Sequence, residues 1–174
     1  MKWTDRYDRD IRASAGAFLS AWGADAWLWW KAELIAESAL DPAAQSPAAA
    51  MGLAQFMAPT WRDVKVELNL PADATPFQPE HAIRAGAYYL GKLRRAWGKV
   101  ERTEADRRRL AQASYNAGLG NIMKAQQLAG GAADYASIIA QLHRVTGDAN
   151  AAETRGYVQR IERIYNELSG AAAA

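Results

Sequence analysis

Residues 25–38 read DAWLWWKAELIAES, from Asp25 to Ser38. Trp27, Trp30, Leu34 and Ile35 fall at i, i+3, i+7 and i+8, the spacing of one face of an α-helix. Asp25 stands where an N-cap belongs, and the alanines between the large residues favour helix over strand. The same preference runs through the chain. Of its 174 residues 39 are alanine, while valine is scarce, so the composition predicts an all-α protein.

Working outward, Ile11, Ala15, Phe18, Leu19 and Trp22 predict a helix from Asp5 to about Gly23, with the glycine as its stop. Residues 41–50 (DPAAQSPAAA) form a loop punctuated by Pro42 and Pro47. The apolar stretch Met51 to Met57 is too short to assign. Pro59 suits the start of a helix through about Leu68. A loop containing Pro71 and Pro76 follows, then a helix from Pro79 to Trp97. Thr103 and Asp106 have the spacing of a capping box, opening a helix towards Asn116. Gly118 and Gly120 mark a break. Short helices are expected at about Ile122–Leu128 and Tyr135–Leu142. Asn150 and Glu153 have N-cap and N3 spacing for a final helix lined by Val158, Ile161, Ile164, Tyr165 and Leu168. Residues 1–170 read as one domain, and 171–174 as a frayed alanine tail.

The composition narrows the chemistry. With no cysteine, disulfides, thiolate metal sites and cysteine nucleophiles are excluded. Two histidines, His81 and His143, far apart in sequence, argue against a Ser-His-Asp triad or a histidine-rich metal site. The net charge of +2 suits an anionic surface but falls short of a nucleic-acid signature. No run approaches the roughly 18 apolar residues of a membrane-spanning helix. Asp5, Asp8 and Asp10 interrupt any hydrophobic run of a signal peptide.

Carboxyl chemistry remains, and Glu37 is its first candidate. It follows Trp30 by seven residues and Leu34 by three, so all three project from roughly one face. A carboxyl group on an apolar stripe is paired, protonated or catalytic. Spacing alone favours a helix-end salt bridge at the rim of the stripe.

The surrounding motifs add a resemblance. Glu37-Ser38 is followed by Gly52-Leu53-Ala54-Gln55, then Ser114-Tyr115-Asn116-Ala117-Gly118, then Glu153-Thr154 with Tyr157-Val158. Their order resembles the E-S, G-L-M-Q, A-Y-N-A-G and E-T…Y-V motifs of soluble lytic transglycosylase domains. Ala87 to Leu90 resembles the family's G-A-x-Y-L helix. The likeness runs from about Ala26 to Tyr165. Ala54, Ser114 and Leu119 depart from the usual methionine, alanine and proline.

The resemblance implies a lysozyme-like helical fold of several short helices around a substrate cleft. It implies cleavage of the β-1,4 bond between N-acetylmuramic acid and N-acetylglucosamine, leaving a 1,6-anhydromuramic acid end. Glu37 would first protonate the leaving oxygen and then, as carboxylate, deprotonate the muramic acid's 6-hydroxyl. Ser38, Gln55, Tyr115, Asn116 and Glu153 would line the cleft, with no metal or organic cofactor.

Each companion also has a structural reading: Ser38 as a helix-end serine bonded to backbone, Gln55 on loop carbonyls, Tyr115 and Asn116 at a helix stop, Glu153 in a capping box. Tyr157 reads as packing. Of the seven tryptophans, Trp22, Trp27 and Trp30 read as core, while Trp29, Trp61 and Trp97 are less constrained. Arg94 to Arg109 carries seven basic against three acidic groups, either a solvated face or an attraction to an anionic wall.

The expected partner is the glycan strand of peptidoglycan, bound by a monomer, with neither nucleic acid nor stable membrane insertion. The context expected is a phage endolysin, held in the host cytoplasm until a holin opens the route to the wall in the periplasm. A lysozyme-type hydrolase and a catalytically silent wall-binding or virion module remain the alternatives.

Overall fold

The computed structural model describes residues 3–170, so the alanine tail lies outside the described residues. The described part is helical: α1 (Asp8–Phe18), α2 (Ala26–Ser38), α3 (Ala58–Glu67), α4 (Pro79–Ala96), α5 (Glu104–Ala117), α6 (Leu119–Leu128), α7 (Tyr135–Ala140), α8 (His143–Thr146) and α9 (Asp148–Ser169). No β-strand is present among the described residues. Isolated bridges join Gln45 to Met51 and Met51 to Phe56. The expected all-α class is what is found.

The described residues of Met1–Tyr89 and Ile161–Ala174 form one compact unit. Here α1 packs on α2, and its Ile11 and Ala15 are buried. Lys31, 2% exposed, is ion-paired with Asp8 at the start of α1. Burying a charged amine is costly without such a partner. Trp30 is fully buried, and a β-carbon on Gly86 of α4 would lie 2.5 Å from its Cη2. Glycine therefore lets the indole reach the helix backbone. Trp29 stacks on Tyr165 with ring centres 3.6 Å apart, and the Tyr165 hydroxyl donates to Asp25 at 3.2 Å.

Leu90–Arg160 form the second unit. Thr103 caps α5, its Oγ1 accepting from the Asp106 amide at 3.0 Å, as the spacing predicts. Glu104 takes a forked pair from Arg94 at 2.6 and 2.8 Å and a third bond from Arg107 at 2.9 Å. Burial alone would push its carboxyl up, but these two guanidinium groups hold it below the ordinary value. Arg102 donates to the Ala133 carbonyl at 2.8 Å and lies over Trp97. Arg94, Arg102 and Arg107 are thus bound into the fold.

Several local expectations are corrected. The helix expected from Asp5 to Gly23 stops at Phe18, and a 3₁₀ turn at Ser20–Trp22 runs to Gly23, whose φ of 80° ends it. Trp27 is half-buried under the Arg12 guanidinium, 3.2 Å from its ring centre, rather than core. The helix at Tyr135–Leu142 ends at Ala140, and α8 follows as a separate turn. The final helix begins at Asp148, so Asn150 lies inside its first turn, and its amide donates back to the Thr146 carbonyl at 2.9 Å. The capping-box reading of Asn150 and Glu153 fails for that reason.

Candidate active site

Glu37 sits in the last turn of α2, half-buried. The chain then turns sharply: Ala39 and Leu40 both adopt left-handed backbone, with φ of 54° and 64°. Ser38 fixes this helix end. Its Oγ donates to the Leu53 carbonyl at 2.9 Å and back to the Leu34 carbonyl at 3.3 Å. The serine therefore ties the turn that carries Glu37 to the Gly52–Gln55 segment, the backbone-bonded arrangement.

That segment is closed on itself. Met51 and Phe56 exchange two backbone bonds of 3.0 Å, and the Gly52 amide donates to the Ala44 carbonyl at 2.8 Å. Gly52 has φ of 73°, and a β-carbon there would overlap the carbonyl oxygen of Pro76. Only glycine fits both demands. Gln55, also left-handed at φ of 47°, donates from Nε2 to the Gly52 and Ala44 carbonyls at 2.9 and 3.3 Å. Both of its amide protons serve the loop, so Oε1 is the atom it can present to a ligand.

The second unit holds the other three residues. Tyr115 and Asn116 lie in the last turn of α5. Asn116 is exposed, and its Oδ1 accepts from the Thr154 hydroxyl at 2.8 Å. Thr154, 2% exposed, shares that single proton with the Asn150 carbonyl at 3.0 Å. Asn116 and Glu153 line one pocket of about 200 Å³ with Ala117, Asn121, Thr146, Asn150 and Thr154. The structure thus brings Asn116 and Glu153 together, and Tyr115 is not part of that lining. Asn121, Thr146 and Asn150 were missed by the sequence reading. The i, i+3, i+4 spacing of Asn150, Glu153 and Thr154 could have marked a polar face on α9.

The departure at Ser114 has a structural reason. Its Oγ accepts from the buried Trp97 indole at 3.0 Å and donates to the Leu110 carbonyl at 2.7 Å. Alanine there would leave the indole N–H buried without that acceptor. Trp61 and Trp97 are buried as well, so neither offers a ring face for a sugar. No group of three or more metal-ligating side chains occurs among the described residues.

Residues 31–138 match the family model of the transglycosylase SLT domain. The chain belongs to that family. The matched span contains Glu37-Ser38, Gly52–Gln55 and Ser114–Gly118, while Glu153-Thr154 lies beyond it. The membrane-bound lytic murein transglycosylase F of Vibrio cholerae is 33% identical over 150 residues, covering 77% of this chain and 26% of that protein. The 70 kDa soluble lytic transglycosylase of Escherichia coli matches at a TM-score of 0.73 and 23% identity, over 97% of this chain and 25% of that one. An inactive glutamate-to-glutamine mutant of the lytic transglycosylase Slt from Pseudomonas aeruginosa matches at the same TM-score, identity and coverage. The SLT domain here spans about a quarter of the length of these proteins. Its fold is their lysozyme-like helical fold. No helix among the described residues is long and apolar enough to cross a membrane.

Proposed function

We propose that residues 1–170 are a peptidoglycan lytic transglycosylase with Glu37 as its one acid–base group. The observation that carries this reading is the seat of Glu37. It is a half-buried glutamate at the end of α2, held by Ser38 against the closed Gly52–Gln55 loop, inside the span that matches the SLT family.

In the first step Glu37 gives its proton to the oxygen between N-acetylmuramic acid and N-acetylglucosamine, and the bond to the muramic C1 breaks. The glutamate, now ionised, takes the proton of the same sugar's 6-hydroxyl, whose oxygen closes on C1. The proton count balances, and a 1,6-anhydro end is left. One carboxyl group thereby does the work that glycoside hydrolases divide between two. Ser38 acts by holding the helix end. Gln55, Tyr115, Asn116 and Glu153 contact the substrate, which a monomer binds without a cofactor.

Mass spectrometry of muropeptides released from purified sacculi tests the reading. Anhydro ends support it. Reducing ends would make the protein a hydrolase, and no release would leave a wall-binding module. The finer setting, a phage lysis enzyme working with a holin, is tested by the gene neighbourhood. An adjacent holin gene supports it, and a signal-peptide sequence upstream in the same reading frame overturns it.

A further inference from the structure

The basic stretch from Arg94 to Arg109 divides by partner. Arg94 and Arg107 are spent on Glu104. Lys99 is exposed and Arg102 half-buried, and neither has an ion pair among the described residues. With Trp97, Val100, Met123 and Gln126 they line a pocket of about 280 Å³ within the second unit. No acidic side chain is among its described lining residues. Thr103, the neighbour of Arg102, opens α5, and Asn116 stands near the far end of that helix, about 20 Å along its axis. The pocket is therefore separate from the one that Asn116 and Glu153 line.

Arg102 is held in place. Its Nε donates to the Val100 carbonyl at 3.4 Å and one Nη1 proton to the Ala133 carbonyl at 2.8 Å, while the guanidinium lies 5.1 Å from the Trp97 ring centre. Three of its five N–H groups remain. Burial, then the Arg107 cation, push its pKa below the ordinary value, and Asp106 only partly offsets them. The Asp106 carboxylate is itself engaged, accepting from the Thr103 hydroxyl at 2.6 Å and the Tyr135 amide at 3.0 Å. An anion in the pocket supplies the missing counter-charge. Gln126 keeps one amide proton after bonding the Ala132 carbonyl at 2.9 Å. The walls are apolar: Trp97, and Val100 and Met123, each 37% exposed. At about 280 Å³ the pocket falls just short of the roughly 300–1,000 Å³ that encloses a drug-sized molecule, so it suits the end of a chain. Two cations beside apolar walls match a carboxylate whose carbon also carries a small apolar group. A C-terminal alanine has that chemistry. A neutral sugar brings no charge, and a lipid surface is met by protruding side chains, whereas these line a recess.

We propose that this pocket binds the C-terminal alanine carboxylate of a peptidoglycan stem peptide, with Arg102 and Lys99 as its charge partners and Val100 and Met123 against the methyl group. Naming the stem peptide rests on the proposed function. The pocket then holds the protein to peptide-bearing wall at a place apart from the pocket of Asn116 and Glu153.

The probe is diacetyl-lysyl-D-alanyl-D-alanine, titrated into the full chain against its C-terminal amide and followed by backbone-amide NMR shifts. A charge-assisted bond predicts that the acid binds about tenfold tighter or more than the amide. The shifts should fall on residues 96–102 and 123–127. Lys99→Glu, at an exposed position without an ion pair, should weaken the acid by about threefold or more and leave the amide unchanged. Arg102→Gln should reduce the preference to about twofold or less, with circular dichroism reporting that it folds. If it does not fold, Lys99→Glu decides. Two further arms present other anions: N-acetylmuramic acid, whose lactyl group also joins a methyl to a carboxylate, and phosphatidylglycerol vesicles. Equal affinities for acid and amide, no saturation by about 10 mM, or shifts confined to other residues would overturn the proposal. So would an unchanged acid affinity in Lys99→Glu, or tighter binding of the muramic acid or the vesicles than of the peptide. The peptide has no glycosidic bond, so binding is read apart from turnover. A wild type that binds the acid yet makes no anhydro ends refutes the function alone. One that makes them without binding the acid refutes the pocket alone.

Discussion

Gly52→Ala is the sharpest probe of how the fold holds Gln55 and the turn that follows Glu37. The new β-carbon would overlap the Pro76 carbonyl oxygen and sit 2.8 Å from the Pro76 carbonyl carbon. Ordinary contact begins at 3.4 Å, so the two backbones must part by roughly 0.6 Å on the carbon distance alone. The left-handed φ of 73° costs a non-glycine residue about 1–2 kcal/mol by itself. Three hydrogen bonds pass through Gly52: its amide to Ala44, and its carbonyl from the Gln55 amide and Gln55 Nε2. Weakening two of them at about 1 kcal/mol each brings the total to about 3–4 kcal/mol. For a chain of this length that lowers Tm by roughly 10 °C. Thermal unfolding followed by circular dichroism measures it. Gly16→Ala is the control, because Gly16 lies within α1 with nothing near its would-be β-carbon, and alanine there should stabilise by about 0.5–1 kcal/mol. If Gly52→Ala melts within 2 °C or so of the wild type, the close approach to Pro76 does not constrain this loop.

Other outcomes follow from single contacts. Ser114→Ala should destabilise by about 1–3 kcal/mol in urea unfolding, because the buried Trp97 indole loses its acceptor. Thr103→Ala should cost about 1 kcal/mol through loss of the α5 cap, read in the same assay. Glu104 has a lowered folded-state pKa, so its ion pairs stabilise the protein above the ordinary carboxylate value and are lost as pH falls through the lower, folded value. Glu104→Gln should therefore flatten the acid side of the stability–pH curve below about pH 4.5, with no change near neutrality in its slope. An unaltered acid limb would show that the pairs with Arg94 and Arg107 contribute nothing.

The helices were legible wherever periodicity and a cap agreed. Pro79 and Thr103 open α4 and α5 because those signals act within one turn of the chain, and α2 starts directly after Asp25 although that side chain makes no cap bond and accepts from Tyr165 instead. The miss at Asn150 is one of position. The helix already starts at Asp148, so Asn150 lies inside its first turn and its amide donates back to the Thr146 carbonyl, a start two residues earlier than the cap spacing marks. Trp27 reads as core by spacing, but Arg12 on the neighbouring helix covers it instead.

At the site, the ordered motifs located Asn116 and Glu153, which the structure brings to one pocket. They said nothing of Asn121 or Thr146, whose part in it depends on tertiary packing. Spacing left Ser38 and Gln55 open between ligand and backbone, and their bonds to Leu53, Gly52 and Ala44 are backbone bonds. Beyond its left-handed turn, Gly52 is constrained by Pro76, 24 residues further on. Long-range steric demands of this kind leave no local trace beyond the glycine itself.

The most direct measurement is mass spectrometry of muropeptides released from sacculi by the wild type and by Glu37→Gln at equal concentration of folded protein. Glutamine keeps the shape of the side chain and removes the proton. The wild type should release 1,6-anhydro ends, and the variant should release them at least about 10²–10⁴ times more slowly. Reducing ends from the wild type, or anhydro ends from Glu37→Gln at the wild-type rate, would contradict a lytic transglycosylase working through Glu37.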